Sequence, residues 1–268
     1  MGLQEYANAR ISRESASAVV IDVHSGELLA LVSAPSFDPN SFNTGISQTD
    51  WNALLKNPRF PLTNKAVSGQ YSPGSTFKMM VALAALEGGY INPAQKISCS
   101  GHIDLGNRRF HCWKHGGHGL VNMYTGISRS CDVYFYEVAK RVGVDNISVM
   151  ARRFGLGEKL GIELPSESKG LVPTRDWKLA VHGLPWQKGE TLNTIIGQGF
   201  TLSTPLQMTL MTSRIASGKK IKPSIIRNDN TFFENLNFHS TNLDFVRKSM
   251  FSVVNDYDGT AFRSKLDG

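Results

Sequence analysis

The stretch YSPGSTFKMMVALAALEGG (residues 71–89) decides how the chain is read. Pro73 and Gly74 punctuate its entry and Gly88 and Gly89 its exit. The residues between are so uniformly apolar that the pattern predicts one long, central helix. At the start of that helix, S-x-x-K sets Ser75 and Lys78 one turn apart on one face, where their side chains can meet. A serine hydroxyl attacks a carbonyl only when a base takes its proton, and a lysine is a base only where its surroundings hold it neutral. A helix N-terminus beside an apolar flank supplies such surroundings and also aims a backbone N–H at a developing oxyanion. The same tetrad recurs at Ser166–Lys169 and Ser217–Lys220, in polar, glycine-flanked contexts that read as solvated side chains. Ser75 is also a candidate N-cap, so the tetrad alone leaves nucleophile and cap both open.

Outward from this helix, toward the N-terminus, LQEYANARIS (3–12) has helical spacing. SAVVIDVHSGELLALVSAP (17–35) reads as a hairpin turning at His24-Ser25-Gly26. SFDPNSFNTG is loop chemistry, and SQTDWNALLKN predicts a short helix capped by Ser47 or Thr49. Toward the C-terminus, ISCSGHIDLGNRRFHCWKHGGHGLV (97–121) predicts a hairpin turning at Gly106-Asn107. Helical patterns follow at VYFYEVAKRVG and VDNISVMARRFGLG. An irregular stretch (157–191) leads to TPLQMTLMTSRIASG, a helix with Thr204 as N-cap and Pro205 in its first turn. IKPSII reads as a strand and NLDFVRKSMFSVVN as a late helix. Strands at the start and helices through the middle make the class α+β.

With 268 residues, 41% of them hydrophobic, the chain can bury the core of one large domain or two modest ones. The longest apolar run, MMVALAAL (79–86), is far short of the roughly 20 residues a membrane span needs, so a soluble chain is expected, and nothing at the start has the form of a signal peptide. A net charge of +7 raises the question of an anionic partner. The basic residues are scattered, with pairs such as Arg108-Arg109 and Lys219-Lys220 as the longest runs, and no aromatic residues interleave with them. Nucleic acid is therefore not an expected partner.

A second motif, SRSCDVYFY (128–136), places Ser130 and Asp132 before a helical run, where both residue types are good caps. In an extended or turn segment, residues two apart face the same way, so Ser130 and Asp132 can also share a cleft while Cys131 points inward. All three cysteines and four of the seven histidines (102, 111, 115, 118) fall between residues 99 and 131. Cys99, Cys112, His118 and Cys131 form a Cys₃His set suited to a closed tetrahedral zinc site, with Gly116, Gly117 and Gly119 allowing close backbone approach. His115 or His111 can replace His118. A Cys99–Cys112 disulfide with Cys131 unpaired, or three free thiols, are the competing readings.

Taken in order, AVVIDVHSGELLALVSAPSFDPN, YSPGSTFKMMVALAALE, HCWKHGGHG, SCDVYFYEVA and IGQGFTLSTPLQM resemble the transpeptidase domain of class B penicillin-binding proteins, in particular their cell-elongation branch. The resemblance runs from about residue 3 to the end of the chain. It implies the penicillin-binding and serine β-lactamase-like fold, an antiparallel sheet with helices on both sides. It also implies that Ser75 is the acylated nucleophile, Lys78 the general base and Ser130 a proton relay to the leaving amine. Asp132, standing where many relatives carry Asn, would hold the substrate or the lysine. The implied reaction breaks a D-Ala-D-Ala bond in a peptidoglycan stem peptide and passes the acyl group to an amine of another strand. β-Lactams acylate the same serine, and the chemistry needs no cofactor. Some members hold a zinc beside the second motif, which favours metal over disulfide here. The implied partners are a SEDS-type glycosyltransferase and other elongation-complex proteins. The implied location is the periplasmic face of the bacterial inner membrane, held by an anchor absent from this chain.

One departure stands out: no Lys-Ser-Gly or Lys-Thr-Gly occurs, although the family carries a third motif of that form. DGTA (258–261) begins with Asp and resembles the stretch that precedes the motif in relatives. The resulting expectation is a partial domain lacking its C-terminal strands and last helix. It would comprise an N-terminal helix and hairpin (3–33), a helical subdomain with the motifs (about 65–155), and an irregular region with helices (156–268). Loss of one oxyanion donor alone costs ~10²- to 10³-fold in rate, so little or no turnover is expected, and the hairpin is expected to show an unpaired edge. Other readings are a serine β-lactamase or penicillin-sensor domain, for which no water-activating carboxylate loop is recognisable, and a non-catalytic partner of the elongation machinery. A Ser-His-Asp hydrolase lacks its G-x-S-x-G elbow.

Overall fold

The computed structural model describes residues 2–43, 45–227 and 231–266. In chain order its first elements are helix α1 (Leu3–Ile11), strands β1 (Ala16–Ile21) and β2 (Leu28–Ala34), and helices α2 (Asn40–Asn43), α3 (Gln48–Lys56) and α4 (Lys78–Glu87). Strands β3 (Ile97–Cys99), β4 (His102–Leu105), β5 (Arg108–His111) and β6 (Gly119–Val121) follow. Next come helices α5 (Met123–Ser128), α6 (Asp132–Val142), α7 (Val144–Arg153) and α8 (Arg175–His182). The last are α9 (Lys188–Ile195), α10 (Pro205–Ser217) and α11 (Ser240–Asn255). The described strands pair as three two-stranded antiparallel sheets, β1–β2, β3–β6 and β4–β5. The chain divides into two compact units, one built from Met1–Tyr71, Gly155–Gly170 and Ser203–Glu234, the other from Ser72–Phe154, Leu171–Leu202 and Asn235–Gly268.

The first unit is organised by the expected hairpin. Ala16 to Val20 face Ala34 to Ala30, and a bulge then lets Ile21 pair with Leu28. Asp22 ties the turn, its carboxylate accepting from the N–H groups of His24 and Ser25 at 2.8 Å each. Those two donors hold the Asp22 carboxyl below the usual range. Gly26 is required here, because its φ of +77° is left-handed and a Cβ would lie 2.3 Å from the Lys222 carbonyl oxygen. The expected open edge is partly closed: the Gln4 side-chain amide of α1 accepts from Leu31 N–H at 2.7 Å and donates to Leu31 C=O at 3.1 Å. β1 has no second strand partner among the described residues. Beneath the hairpin, Ala66, Val67, Ile162 and Leu206 pack with Val19, Leu28 and Leu31, and Leu210, Ile221 and Phe233 pack with Ile21 and Val23.

Two expectations change in this unit. SFDPNSFNTG contains the single turn α2, and IKPSII makes only a bridge between Ser224 and Glu27. Pro223 offers no N–H to a ladder, which limits any longer pairing there. The α10 boundaries match the sequence. Thr204 Oγ1 accepts from Gln207 N–H at 3.2 Å, the Gln207 side chain accepts from Thr204 N–H at 2.9 Å, and Gly218 closes the helix in the left-handed region.

In the second unit α4 is the central helix, with Met80, Val81, Leu83 and Ala85 fully buried and α5, α6, α7 and α11 packed around it. It differs from expectation at its start, where Gly74–Phe77 form a 3₁₀ turn and the α-helix begins at Lys78. The irregular stretch 157–191 also contains α8 and the beginning of α9. Both helices are short and depend on their ends. Thr174 Oγ1 accepts from Trp177 N–H at 3.0 Å, and the Glu190 carboxylate accepts from Gln187 N–H at 2.6 Å. Lys178 is buried and donates to both Glu190 and the Pro185 carbonyl, fastening the loop between the two helices. No described helix is long and apolar enough to cross a membrane.

Removing the buried cap by Thr204→Ala is expected to destabilise the fold by about 1–2 kcal/mol. The measurement is the urea midpoint, which should fall with an unchanged slope.

Candidate active site

The site lies within the second unit and begins with the 3₁₀ turn. Gly74 N–H donates to Gly197 C=O at 3.0 Å, and the backbones meet so closely that a Cβ on Gly197, whose φ is +67°, would lie 2.2 Å from Gly74 O. Thr76 Oγ1 donates back to Pro73 C=O at 2.6 Å. The turn so held leaves Ser75 exposed and drives Lys78 into the interior, where the residue is 1% exposed. The cap reading of Ser75 is not realised, since neither the turn nor α4 has a side-chain N-cap bond.

Lys78 is committed to the second motif. Its Nζ donates to Ser130 C=O at 3.0 Å, Ser130 Oγ at 3.0 Å and Asp132 Oδ1 at 2.7 Å, and makes no hydrogen bond to Ser75. Ser130 can offer both its carbonyl and its hydroxyl to one amine because its φ of +51° is left-handed, a conformation that costs a non-glycine residue on the order of 1 kcal/mol or more. The helix cap falls on the middle residue: Cys131 Sγ accepts from Tyr134 N–H at 3.5 Å, and Asp132 is the first residue of α6. Ser130 and Asp132 thus share one side of the segment while Cys131 is fully buried on the other.

The other Asp132 oxygen accepts from Trp113 N–H at 2.9 Å, and Trp113 Nε1–H donates to the carbonyls of Arg129 and Ser130 at 3.0 and 3.1 Å. Sequence reasoning missed Trp113; its only signal was its place directly after Cys112 in HCWKHGGHG.

Behind this loop the four expected metal candidates converge. Cys99 ends β3, Cys112 follows β5, His118 precedes β6 and Cys131 caps α6. Their ligand atoms all lie within 4.8 Å of one another, with His118 Nδ1 at 3.5 Å from Cys112 Sγ and 3.7 Å from Cys99 Sγ. His118 Nε2 is buried without a partner among the described residues. His111 faces His102 across the β4–β5 hairpin, the rings tilted and 6.2 Å apart, and neither it nor His115 joins the cluster. No disulfide joins any two of the three cysteines. Cys112 is drawn far below the usual thiol range by the hydrogen bond from Cys131, helped by backbone donors at Lys114, Asp132 and Val133. Cys131 is pushed up by the same bond and by burial. Close backbone approach occurs at Gly117, where a Cβ would lie 2.1 Å from Cys99 O, and at Gly101, 2.1 Å from His115 O. Gly116 and Gly119 face open space instead.

A cleft of about 740 Å³ opens over Ser75, Ser130 and Asp132 and is further lined by Arg108, Arg109, His111, Trp113, Asn193, Gln198 and Thr260. Thr260 belongs to DGTA and is pinned by its N–H to Ser128 C=O at 3.1 Å, so that stretch contributes to the cleft even though it is not the third motif. Of the other two S-x-x-K tetrads, Ser217 ends α10 and Ser166 sits in a turn with a φ of +64°, and neither lines this cleft.

Comparison with known proteins assigns the class. Residues 16–268 match the penicillin binding protein transpeptidase domain, and the chain belongs to that family. It is similar to the peptidoglycan D,D-transpeptidase MrdA of Acinetobacter baumannii, 40% identical over 99% of this chain and 42% of that protein. The MrdA of Escherichia coli is 36% identical over 97% of this chain and 43% of that protein. The chain thus spans less than half the length of these curated relatives. Among solved structures it resembles penicillin-binding protein 2 of Helicobacter pylori in complex with MreC, with a TM-score of 0.93, 37% identity, and coverage of 98% of this chain and 49% of that one. It also resembles PBP2 of Pseudomonas aeruginosa in complex with WCK 5153, with a TM-score of 0.89, 34% identity, and coverage of 97% and 62%.

Asp132→Ala leaves the buried Lys78 without its counter-charge and is expected to cost about 3–5 kcal/mol of unfolding free energy. Asp132→Asn keeps one acceptor oxygen, enough for Lys78 or for Trp113 N–H but not for both, and should cost less than the alanine variant, as read by denaturant unfolding.

Proposed function

We propose that this chain carries the acyl-transfer centre of a peptidoglycan D,D-transpeptidase. The observation that supports this most directly is an exposed Ser75 in the same cleft as Ser130 and Asp132, both of which engage the buried Lys78, in a chain of the transpeptidase family. In the first half-reaction Ser75 Oγ bonds to the carbonyl carbon of the penultimate D-Ala and the D-Ala-D-Ala C–N bond breaks. Once Lys78 has given up the proton that pairs it with Asp132, it takes the serine proton and hands one on to Ser130 Oγ, 3.0 Å from the amine, which passes its own to the departing D-Ala nitrogen. In the second half an acceptor amine attacks the acyl carbon, the ester C–O bond breaks, and a proton returns to Ser75. In this scheme the Ser75 N–H, in the first turn of the 3₁₀ segment, receives the oxyanion. Asp132 holds the lysine in this scheme, the task its 2.7 Å contact supports. A β-lactam acylates the same serine.

The Cys99, Cys112, His118 and Cys131 set fits zinc. Zn–S bonds of about 2.3 Å in a tetrahedron put ligand atoms roughly 3.5–3.8 Å apart, close to the observed 3.5 and 3.7 Å between His118 Nδ1 and two thiols. A bound ion satisfies three buried thiolates at once, and its role is structural. Cys131 lies between Ser130 and Asp132, and Cys112 precedes Trp113, so this set grips the catalytic loop from behind. By family likeness the protein works at the periplasmic face of the inner membrane with elongation-complex proteins, including a SEDS-type glycosyltransferase. The relative solved in complex with MreC supports that reading.

Fluorescent penicillin is expected to label the full-length protein covalently and its Ser75→Ala variant not at all, and to label these 268 residues alone weakly, since they carry no Lys-Ser-Gly or Lys-Thr-Gly. Rapid nitrocefin turnover would instead favour a β-lactamase. Protein purified without chelator should contain one zinc per chain by mass spectrometry. Cys131→Ser should lower that content and slow acylation at Ser75, and unchanged values for both would return Cys131 to a capping role only. Because the ligands bind as thiolates, acidification should release the metal and the stability it supplies.

A further inference from the structure

On the cleft wall supplied by β5, two consecutive arginines stand in different electrostatic states. Arg109 pairs with Asp104 across the β4–β5 register, and the Asp104 carboxylate takes its Nε–H at 2.8 Å and an Nη–H at 3.3 Å. Its charge is spent. Arg108 shares a strand face with Phe110 and lays its guanidinium over the Phe110 ring, 5.2 Å from the centroid. The ring is itself fixed, buried edge-on to Tyr136 at 6.0 Å. No carboxylate pairs with Arg108 among the described residues. Asp132 is the one acidic residue lining the cleft, and both its oxygens are committed to Lys78 and Trp113. The cleft therefore presents an unspent cation near Ser75 and no unspent anion.

We propose that Arg108 is a specificity-determining residue that receives a carboxylate of a peptide strand in the cleft, a carboxylate distinct from the reacting D-Ala-D-Ala terminus. The inference rests on the transpeptidase reading and names the chemistry its substrate carries. A guanidinium whose face rests on an aromatic ring keeps its N–H edge free. That planar fork matches a carboxylate in two-point contact with little further loss of rotamer freedom. β5 runs directly into Cys112 and Trp113, so the position of Arg108 is tied through the main chain to the loop that holds Lys78. Either strand of the cross-linking reaction, donor or acceptor, can supply the carboxylate.

The test uses the intact protein and synthetic peptides whose internal carboxylate is free or converted to a primary amide. Donor peptides ending in D-Ala-D-Ala report acylation as D-Ala release, and acceptor amines report transfer from a preformed acyl-enzyme. For one of the two strands, wild type should favour the free carboxylate over the amide by about tenfold in kcat/KM. Arg108→Gln should bring that ratio close to one, and Arg108→Lys should restore part of it. A collapsed ratio in the donor assay assigns the carboxylate to the donor strand, and one in the acceptor assay to the acceptor. Ratios unchanged by Arg108→Gln in both assays, in an enzyme that releases D-Ala, overturn this inference alone. A full-length protein that neither releases D-Ala nor labels with penicillin overturns the transpeptidase reading and this inference with it.

Discussion

A buried lysine with a counter-ion is the constraint on which the second unit depends. Lys78 is 1% exposed, and its amine is held by groups more than fifty residues away in sequence. Taking such a charge out of water costs several kcal/mol unless every donor finds an acceptor. Three acceptors are assembled by two features of the backbone: Ser130 adopts a left-handed conformation, and Cys131 rather than Ser130 or Asp132 caps α6, which begins at Asp132. Asp132 then needs a second donor of its own, which the main chain supplies at Trp113. The 3₁₀ turn, the loop before α6 and the β5 exit are thereby placed around one ammonium group.

Much of this was legible in the sequence where local chemistry decides the outcome. The hairpin at 16–34, the α10 cap at Thr204, the turn at Gly106-Asn107 and the order of the motifs follow from side-chain type and spacing. The Cys and His set could be picked out because soft ligands clustered in a short span have few bland explanations. Failures have physical causes as well. A 3₁₀ turn and a first α-turn share one side-chain pattern, so the start of α4 was misread. α8 and α9 depend on the Lys178–Glu190 pair, which no periodicity announces. IKPSII has strand composition, but Pro223 lacks the donor a ladder needs. Trp113 acts through its backbone N–H, and a main-chain donor leaves no signature in residue type.

The thiol cluster and the ion pair share their supports. Cys131 caps α6 with sulfur, while its two neighbours carry the contacts to Lys78. Cys112 stands one residue before the backbone donor to Asp132. On the zinc reading, the four ligands bind β3, β5, the approach to β6 and α6 at one point, and short strands of three or four residues that would hold weakly alone acquire a common anchor. The metal would then take no part in bond-making and still set the geometry in which bonds are made.

The meeting of Gly74 and Gly197 has a further consequence for variation. The turn that carries Ser75 is braced there by main chain against main chain, with no side chain at that contact whose size or polarity could drift. Substitution can break this brace but cannot retune it. Heritable change in what enters the cleft is therefore channelled to the rim, to residues such as Arg108, His111, Asn193, Gln198 and Thr260. There side chains can be exchanged while Ser75 stays where its neighbours' backbone has put it.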